Sequence, residues 1–290
     1  MAENGGKAEV LRKRAAIIRE MRRFFDEAGF VEVSTPVRLR APAPEPHIDC
    51  PVCDKGTYLR ASPELQMKKL LAAGLDLIYQ IGPCFREGEI GSRHHPEFTM
   101  IEWYRKGADY LAIADDLEGL LPQLGVPWRA GEGGVFHRIK VRDAYSRYAG
   151  WDPWAEWNQD RFDFDMATKI EPALKELGGG VFLMDYPVQA ASLARVRGDA
   201  AERWEFYLDG VELANCFTEL CDGDEQRRRF EAAKAERKKL GESDYPLDEE
   251  FLALLPQIGS AAGVALGVDR LVAALIGIKT ISGVMSWPEI

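Results

Sequence analysis

Arg203-Trp-Glu-Phe-Tyr-Leu-Asp-Gly-Val-Glu-Leu-Ala-Asn-Cys-Phe-Thr-Glu219 reads as a β-hairpin. Asp209-Gly210 is a strong two-residue turn signal, because a tight hairpin needs positive φ at its centre, and β-prone residues flank it on both sides. With that turn, Tyr207 falls opposite Glu212, and Glu205 lies two positions along on the same face. Strict alternation sends Asn215, Phe217 and Glu219 to the opposite face. Joining the two sets in one pocket requires a bulge or kink between 212 and 215. The bland alternative is an edge strand made polar to discourage aggregation.

Two further β-like runs, Leu77 to Ile81 and Phe98 to Tyr104, predict a second antiparallel pair joined by the polar stretch 86 to 97. Loops of that length are often functional. Helices surround these strands. Apolar positions Val10, Leu11, Ile17, Ile18, Met21, Phe24 and Phe25 suit an amphipathic helix over 7 to 28, stopped by Gly29. A short strand, Phe30 to Val33, leads to Thr35-Pro36, and the proline-rich 40 to 47 is an extended loop. Ser62-Pro63 starts a helix that Gly74 ends. Residues 109 to 180 read mainly as helices and connectors, followed by a strand from Val181. Segment 222 to 241 is a solvated helix, and Gly263 to Val268 is a strand running into a helix from Asp269. The expectation is an α+β fold, a mainly antiparallel sheet flanked by helices, in one compact domain covering 1 to 290.

Composition narrows the function. Of 290 residues, 46% are hydrophobic and 29% charged, ordinary for a globular protein. No apolar run reaches the roughly 20 residues that span a bilayer, and the polar N-terminus lacks the core of a secretion signal. Five cysteines, an odd number scattered through a long chain, suit a reducing cytoplasm. The net charge of −10 argues mildly against a polynucleotide as principal ligand, since gripping phosphates calls for a basic face.

Three blocks carry candidate chemistry. In Phe85-Arg86-Glu-Gly-Glu89 followed by His94-His95-Pro-Glu-Phe98, an arginine fork can grip carboxylate or phosphate, histidines add donors, and Phe98 offers a face for a base. In the hairpin, Glu205 and Glu212 are hard oxygen ligands that suit magnesium held between protein and polyphosphate. In Gly263-Val-Ala-Leu-Gly267-Val-Asp269-Arg270, small residues permit close approach of a ligand and Arg270 can meet a polyphosphate, although the lysine of a P-loop is missing. Each block alone also reads as ordinary surface or core.

Taken in order, Phe-Arg, then His-x-Pro-Glu-Phe, then Glu-Leu-Ala-Asn-x-Phe-x-Glu-Leu, then Gly-x-x-x-Gly-x-Asp-Arg, the blocks resemble the class II lysyl-tRNA synthetase catalytic core. Gly29 to Pro36 looks like the first motif of that family, which implies a homodimer. The chain is more similar still to a truncated paralogous family, the elongation factor P–lysine ligases, through Ser62-Pro-Glu-Leu65, Pro96 to Arg105 and Gly263 to Leu271. The resemblance covers about residue 10 to the C-terminus.

The resemblance implies ATP and Mg²⁺ as cofactors, lysine or (R)-β-lysine as the activated amino acid, and elongation factor P as the acceptor. It implies that Arg86 bridges the amino acid's carboxylate and the α-phosphate, that Phe98 stacks on adenine, and that Arg270 holds the γ-phosphate end. His94, with His95 beside it, would serve the outer phosphates, and Glu205 and Glu212 the magnesium. Glu64 would contact the amino group, while Glu102, Tyr104 and Glu219 surround the side-chain ammonium and Asn215 and Phe217 line the site. A buried ammonium without such partners would cost several kcal/mol in order of magnitude. Two departures stand out. Gly88 replaces the usual glutamate, leaving Glu89 to assume the adenine contact. Ala265 stands where the synthetases have glycine, and one methyl in a pocket can shift selectivity by roughly 1–3 kcal/mol.

Only a short polar leader precedes the first motif, so no anticodon-binding domain is expected, which with the acidic balance favours a protein acceptor over tRNA. Other readings remain: an activating enzyme for another acceptor, or a catalytically silent regulatory paralogue. Cys50-Pro-Val-Cys53, with His47 and Asp49 nearby, is weighed as a metal site and set below an ordinary loop with two thiols, since no second Cys-x-x-Cys follows. The charges of 225 to 242 read as a solvated face, and Trp151, Trp154 and Trp157 as packing groups.

Overall fold

The computed structural model describes residues 6–54, 56–125 and 136–289. The chain divides into two compact units. The first holds the chain to Gly107, Cys221–Ala261 and the chain from Ala265; the second holds Ala108–Leu220 and Ala262–Val264.

In the first unit, β1 (Val31–Glu32) pairs in parallel with β5 (Leu77–Phe85), and β5 pairs antiparallel with β6 (Glu97–Lys106). A small antiparallel sheet runs in the order β2 (Arg38–Leu39), β4 (Thr57–Leu59), β3 (Val52–Asp54). The Lys7–Glu27 helix buries Phe25 against Tyr79 and Trp103, with ring centroids 5.0 Å apart in both pairs. It ends as expected at Gly29, whose φ of 81° only glycine adopts without strain. Pro63 starts the Glu64–Ala72 helix, and the Ser62 hydroxyl accepts from the Glu64 N–H at 3.0 Å. Asp222 caps the Gly223–Leu240 helix by accepting from the N–H groups of Asp224 and Glu225.

In the second unit, β7 (His137–Lys140), β8 (Gly180–Pro187), β10 (Ala200–Leu208) and β11 (Val211–Thr218) lie side by side, with β9 (Val196–Arg197) on β10. All these pairings are antiparallel except β7 with β8. Phe182, Trp204 and Phe206 form its aromatic core, and Asp109 caps the Tyr110–Gln123 helix. The reading of 109 to 180 as helices and connectors holds apart from β7; residues 126–135 lie outside the described residues. The glycine-bearing strand β12 (Ala261–Gly267) precedes the Val268–Ile276 helix. The arrangement is the expected α+β one, mostly antiparallel strands flanked by helices. Among the described residues no helix is long and apolar enough to cross a membrane.

Candidate active site

Alternation along β6 puts Phe98, Met100, Glu102 and Tyr104 on one face. Glu102 is fully buried there. Ser62 Oγ donates to its Oε1 at 2.6 Å and the Tyr104 hydroxyl to its Oε2 at 2.8 Å. Burial, then the nearby Glu64 carboxylate, push the Glu102 carboxyl up to about 7. One helical turn apart, Lys68 donates to Glu64, and both side chains are buried. The first unit thus holds two buried carboxyls beside one buried ammonium.

Arg86 leaves the end of β5. Its N–H donates to the Pro96 carbonyl at 2.9 Å, and its guanidinium lies 5.2 Å from the centre of the Phe98 ring. Glu89 approaches it only to 3.5 Å. The Arg86 Nε is buried with no hydrogen-bond partner, a donor that a phosphate or carboxylate oxygen would satisfy. The residues present therefore fit ATP and a carboxylate substrate. Gly88 sits at φ 74°, so a glutamate there would be strained, and Glu87 and Glu89 flank it.

His94 and Arg270 come together, with Arg270 Nη2 donating to His94 Nε2 at 2.8 Å. Burial, then the Arg270 charge, depress the imidazole's pKa, which favours the neutral acceptor form. The ring of the buried His95 turns back into its own loop, with Nδ1 2.7 Å from the Glu97 carbonyl. Sequence reasoning missed Asp269 and Arg14. Asp269 is buried, accepts from the Thr99 N–H at 2.6 Å and pairs with Arg14. It ties the neighbour of Phe98 to the neighbour of Arg270, and only its place in the Asp-Arg dipeptide hinted at this. Ala265 is half-buried on β12. Cys50 is buried, its N–H donating to the Tyr245 hydroxyl at 2.8 Å, and Cys53 is exposed on β3.

The hairpin of the second unit turns at Asp209-Gly210, both at positive φ (49° and 75°). Tyr207 pairs with Glu212 as expected, but Phe206 pairs with Ala214 and Glu205 with Asn215. Leu213 is the extra residue of a bulge, the irregularity that the alternation demanded. It returns Asn215 and Phe217 to the face of Glu205 and Glu212. Arg203 binds this face together, donating to Glu205 at 2.6 Å and to Asn215 at 3.0 Å, while the Tyr207 hydroxyl donates to Glu205 at 2.6 Å. Glu219 follows β11, buried, and its backbone bridges to Ala194.

Among the described residues no cluster of three or more His, Cys, Asp or Glu could hold a metal alone. Glu205 and Glu212 fit instead a magnesium that arrives with polyphosphate, since Mg²⁺ is commonly held by one or two carboxylates plus substrate oxygens.

An arginine after a strand with an unsatisfied donor, an aromatic face beside it, a buried acid on the next strand and another on a helix define an amino-acid-activating site of the class II synthetase type. Residues 2–290 match the family described as tRNA synthetases class II (D, K and N), and the chain belongs to it. Within that family it is similar to ligases. It is 36% identical over 314 residues to the elongation factor P–(R)-β-lysine ligase of Proteus mirabilis (strain HI4320), covering 96% of this chain and 94% of the relative. The ligases of the same name from Yersinia enterocolitica and Mannheimia succiniciproducens are each 36% identical, over 96% and 94% of this chain and 94% and 93% of the relatives.

Proposed function

We propose that this chain activates lysine, preferentially (R)-β-lysine, with ATP and transfers it to a lysine side chain of elongation factor P. The observation that supports this most is the pair of buried carboxyls, Glu64 and Glu102, in the same unit as the unsatisfied Nε of Arg86. A cationic amino acid needs counter-charge at its ammonium and a fork at its carboxylate, and the first unit supplies both types of group.

In this reading a carboxylate oxygen of lysine attacks the α-phosphorus of ATP, the bond to the β-phosphate oxygen breaks, and pyrophosphate leaves. The acceptor amine then attacks the adenylate carbonyl, AMP leaves with the bonding pair, and the amine's proton passes to solvent. Such chemistry needs positioning and charge neutralisation more than a protein nucleophile. Arg86 orients the reacting carboxylate and α-phosphate, Phe98 and Glu89 serve adenine, and His94, His95 and Arg270 serve the outer phosphates. Glu205 and Glu212 would hold Mg²⁺, which when bound neutralises polyphosphate charge. Glu64, Glu102, Tyr104, Asn215, Phe217 and Glu219 select the lysine, and Ala265 tilts the choice of isomer. The five free thiols suit the cytoplasm, and the resemblance of Gly29 to Pro36 to the first synthetase motif supports a homodimer.

The test is ATP–pyrophosphate exchange with α-lysine and with (R)-β-lysine, each with and without elongation factor P, following the factor's intact mass. Exchange with a lysine-sized mass gain is expected. Exchange without mass gain points to another acceptor; no exchange with either isomer sinks the lysine reading.

A further inference from the structure

Arg237, near the end of the Gly223–Leu240 helix, is only 1% exposed, yet it lies outside every motif above. Its guanidinium donates four hydrogen bonds. Nε donates to the Ser243 carbonyl at 3.0 Å, and Nη1 to the carbonyls of Glu45 at 2.7 Å and Ile48 at 2.8 Å. Nη2 donates to Asp49 Oδ1, Glu242 lies 3.0 Å from Nη1, and the Tyr245 ring stacks 4.4 Å from the guanidinium carbon. The residues around it tie the same loop. Tyr245 donates its hydroxyl proton to Asp49 at 3.0 Å and accepts from the Cys50 N–H at 2.8 Å. Glu242 accepts from the N–H of His47, held at φ 66°.

The 45–50 loop has two neighbours of consequence. The Asp49 carbonyl accepts from the Glu87 N–H at 2.8 Å, the residue next to Arg86. Pro42, Ala43, Glu45 and Cys50 also line a cavity with Ser62 and Glu64. We infer that Arg237 is a positioning residue for this enzyme: by fixing the 45–50 loop it sets the backbone beside Arg86 and the cavity wall beside Glu64. The planar fork is what the task requires. Three carbonyls and a carboxylate are met in fixed directions by one rigid group, which a lysine's single ammonium cannot reproduce. A displacement of about 1 Å in a reacting group is enough to cost about 100-fold in rate.

This inference rests on the activating function proposed above, so its test has an arm independent of activity. The full chain is compared with Arg237→Lys, Arg237→Gln and the milder Tyr245→Phe, which removes one hydroxyl and keeps the fold if the arginine variants do not. Arg228→Gln, on the exposed side of the same helix, is the control. Amide hydrogen exchange is followed by mass spectrometry, and pyrophosphate exchange is measured where circular dichroism shows every variant folded. Exchange at residues 45–50 and at the Glu87 amide should quicken about tenfold. The amino-acid KM should rise and kcat fall, each about tenfold, as expected for displaced groups, with the KM for ATP within about twofold. Arg237→Lys should fare no better than Arg237→Gln, since charge alone does not hold the loop. Unchanged exchange at Glu87, unchanged kinetics despite a loosened loop, or full rescue by lysine overturns the inference. Should the wild type show no pyrophosphate exchange, the proposed function fails, and the Glu87 amide alone decides whether Arg237 holds this loop.

Discussion

Glu102→Gln should make the protein more resistant to unfolding as pH rises, while abolishing its use of a cationic amino acid. The folded protein keeps the Glu102 proton up to about 7, whereas an unfolded glutamate releases it near 4.5. Between those values the folded state binds more protons, so stability is fully present below 4.5 and is lost as pH rises through 7. At about 1.4 kcal/mol per pKa unit, the loss totals about 3 kcal/mol, of which about 2.5 kcal/mol falls between pH 5 and 8. Glutamine fills the same space and does not titrate. Its amide nitrogen cannot accept from one of the two hydroxyls, Ser62 or Tyr104, a pH-independent cost of about 1 kcal/mol. Urea unfolding of both proteins at pH 5, 6, 7 and 8 should show the variant gaining on the wild type by about 2.5 kcal/mol across that range. A difference that is the same at pH 5 and pH 8 would refute an elevated Glu102. The same titration predicts that the amino-acid KM falls as pH rises through 7, because the ionised carboxylate is the form that attracts an ammonium.

Arg86→Lys should cut pyrophosphate exchange by about 100-fold or more, the usual effect of losing a transition-state donor, while thermal unfolding barely moves because the buried Nε has no partner to lose. Asp269→Asn should destabilise the protein by roughly 2–3 kcal/mol in urea, since it strands Arg14, which solvent reaches in part and which is therefore discounted from a fully buried pair. Ala265→Gly should shift the ratio of α- to β-lysine activation by about tenfold toward α-lysine; an unchanged ratio in competition assays removes Ala265 from specificity.

What the sequence makes legible follows from how local the cause is. The hairpin turn and the Gly29 stop are each set by one or two residues, and each stands where expected. The three-stranded β2-β4-β3 sheet and β7 went unread because strands of two to four residues carry no period of their own. β7 is polar and exists through its parallel pairing with β8. The bulge at Leu213 is an intermediate case. Nothing in Glu-Leu-Ala-Asn announces an extra residue, yet placing Glu212 and Asn215 on one face already required it, and Val211 to Thr218 follows that requirement.

Lys68 shows how a site residue stays hidden in plain periodicity. Glu64, Met67, Lys68 and Leu71 stand at i, i+3, i+4 and i+7, and the helix buries all four. Read as an isolated ion pair, Glu64 and Lys68 suggest a solvated face; read with Met67 and Leu71, they must share an apolar stripe. The pairing has a consequence for its neighbour. Glu64 enters the interior with its charge met by an ammonium. Glu102 accepts from two hydroxyls, which hydrogen-bond its carboxylate without neutralising it. Desolvation, with the Glu64 charge, outweighs the two hydroxyls and the Lys68 ammonium, and the Glu102 carboxyl rises to about 7. Of these two carboxyls it is Glu102 that gains most from an arriving cation, so the selectivity for a lysine side chain is argued from the partners each acid has, not from the number of acids in the sequence.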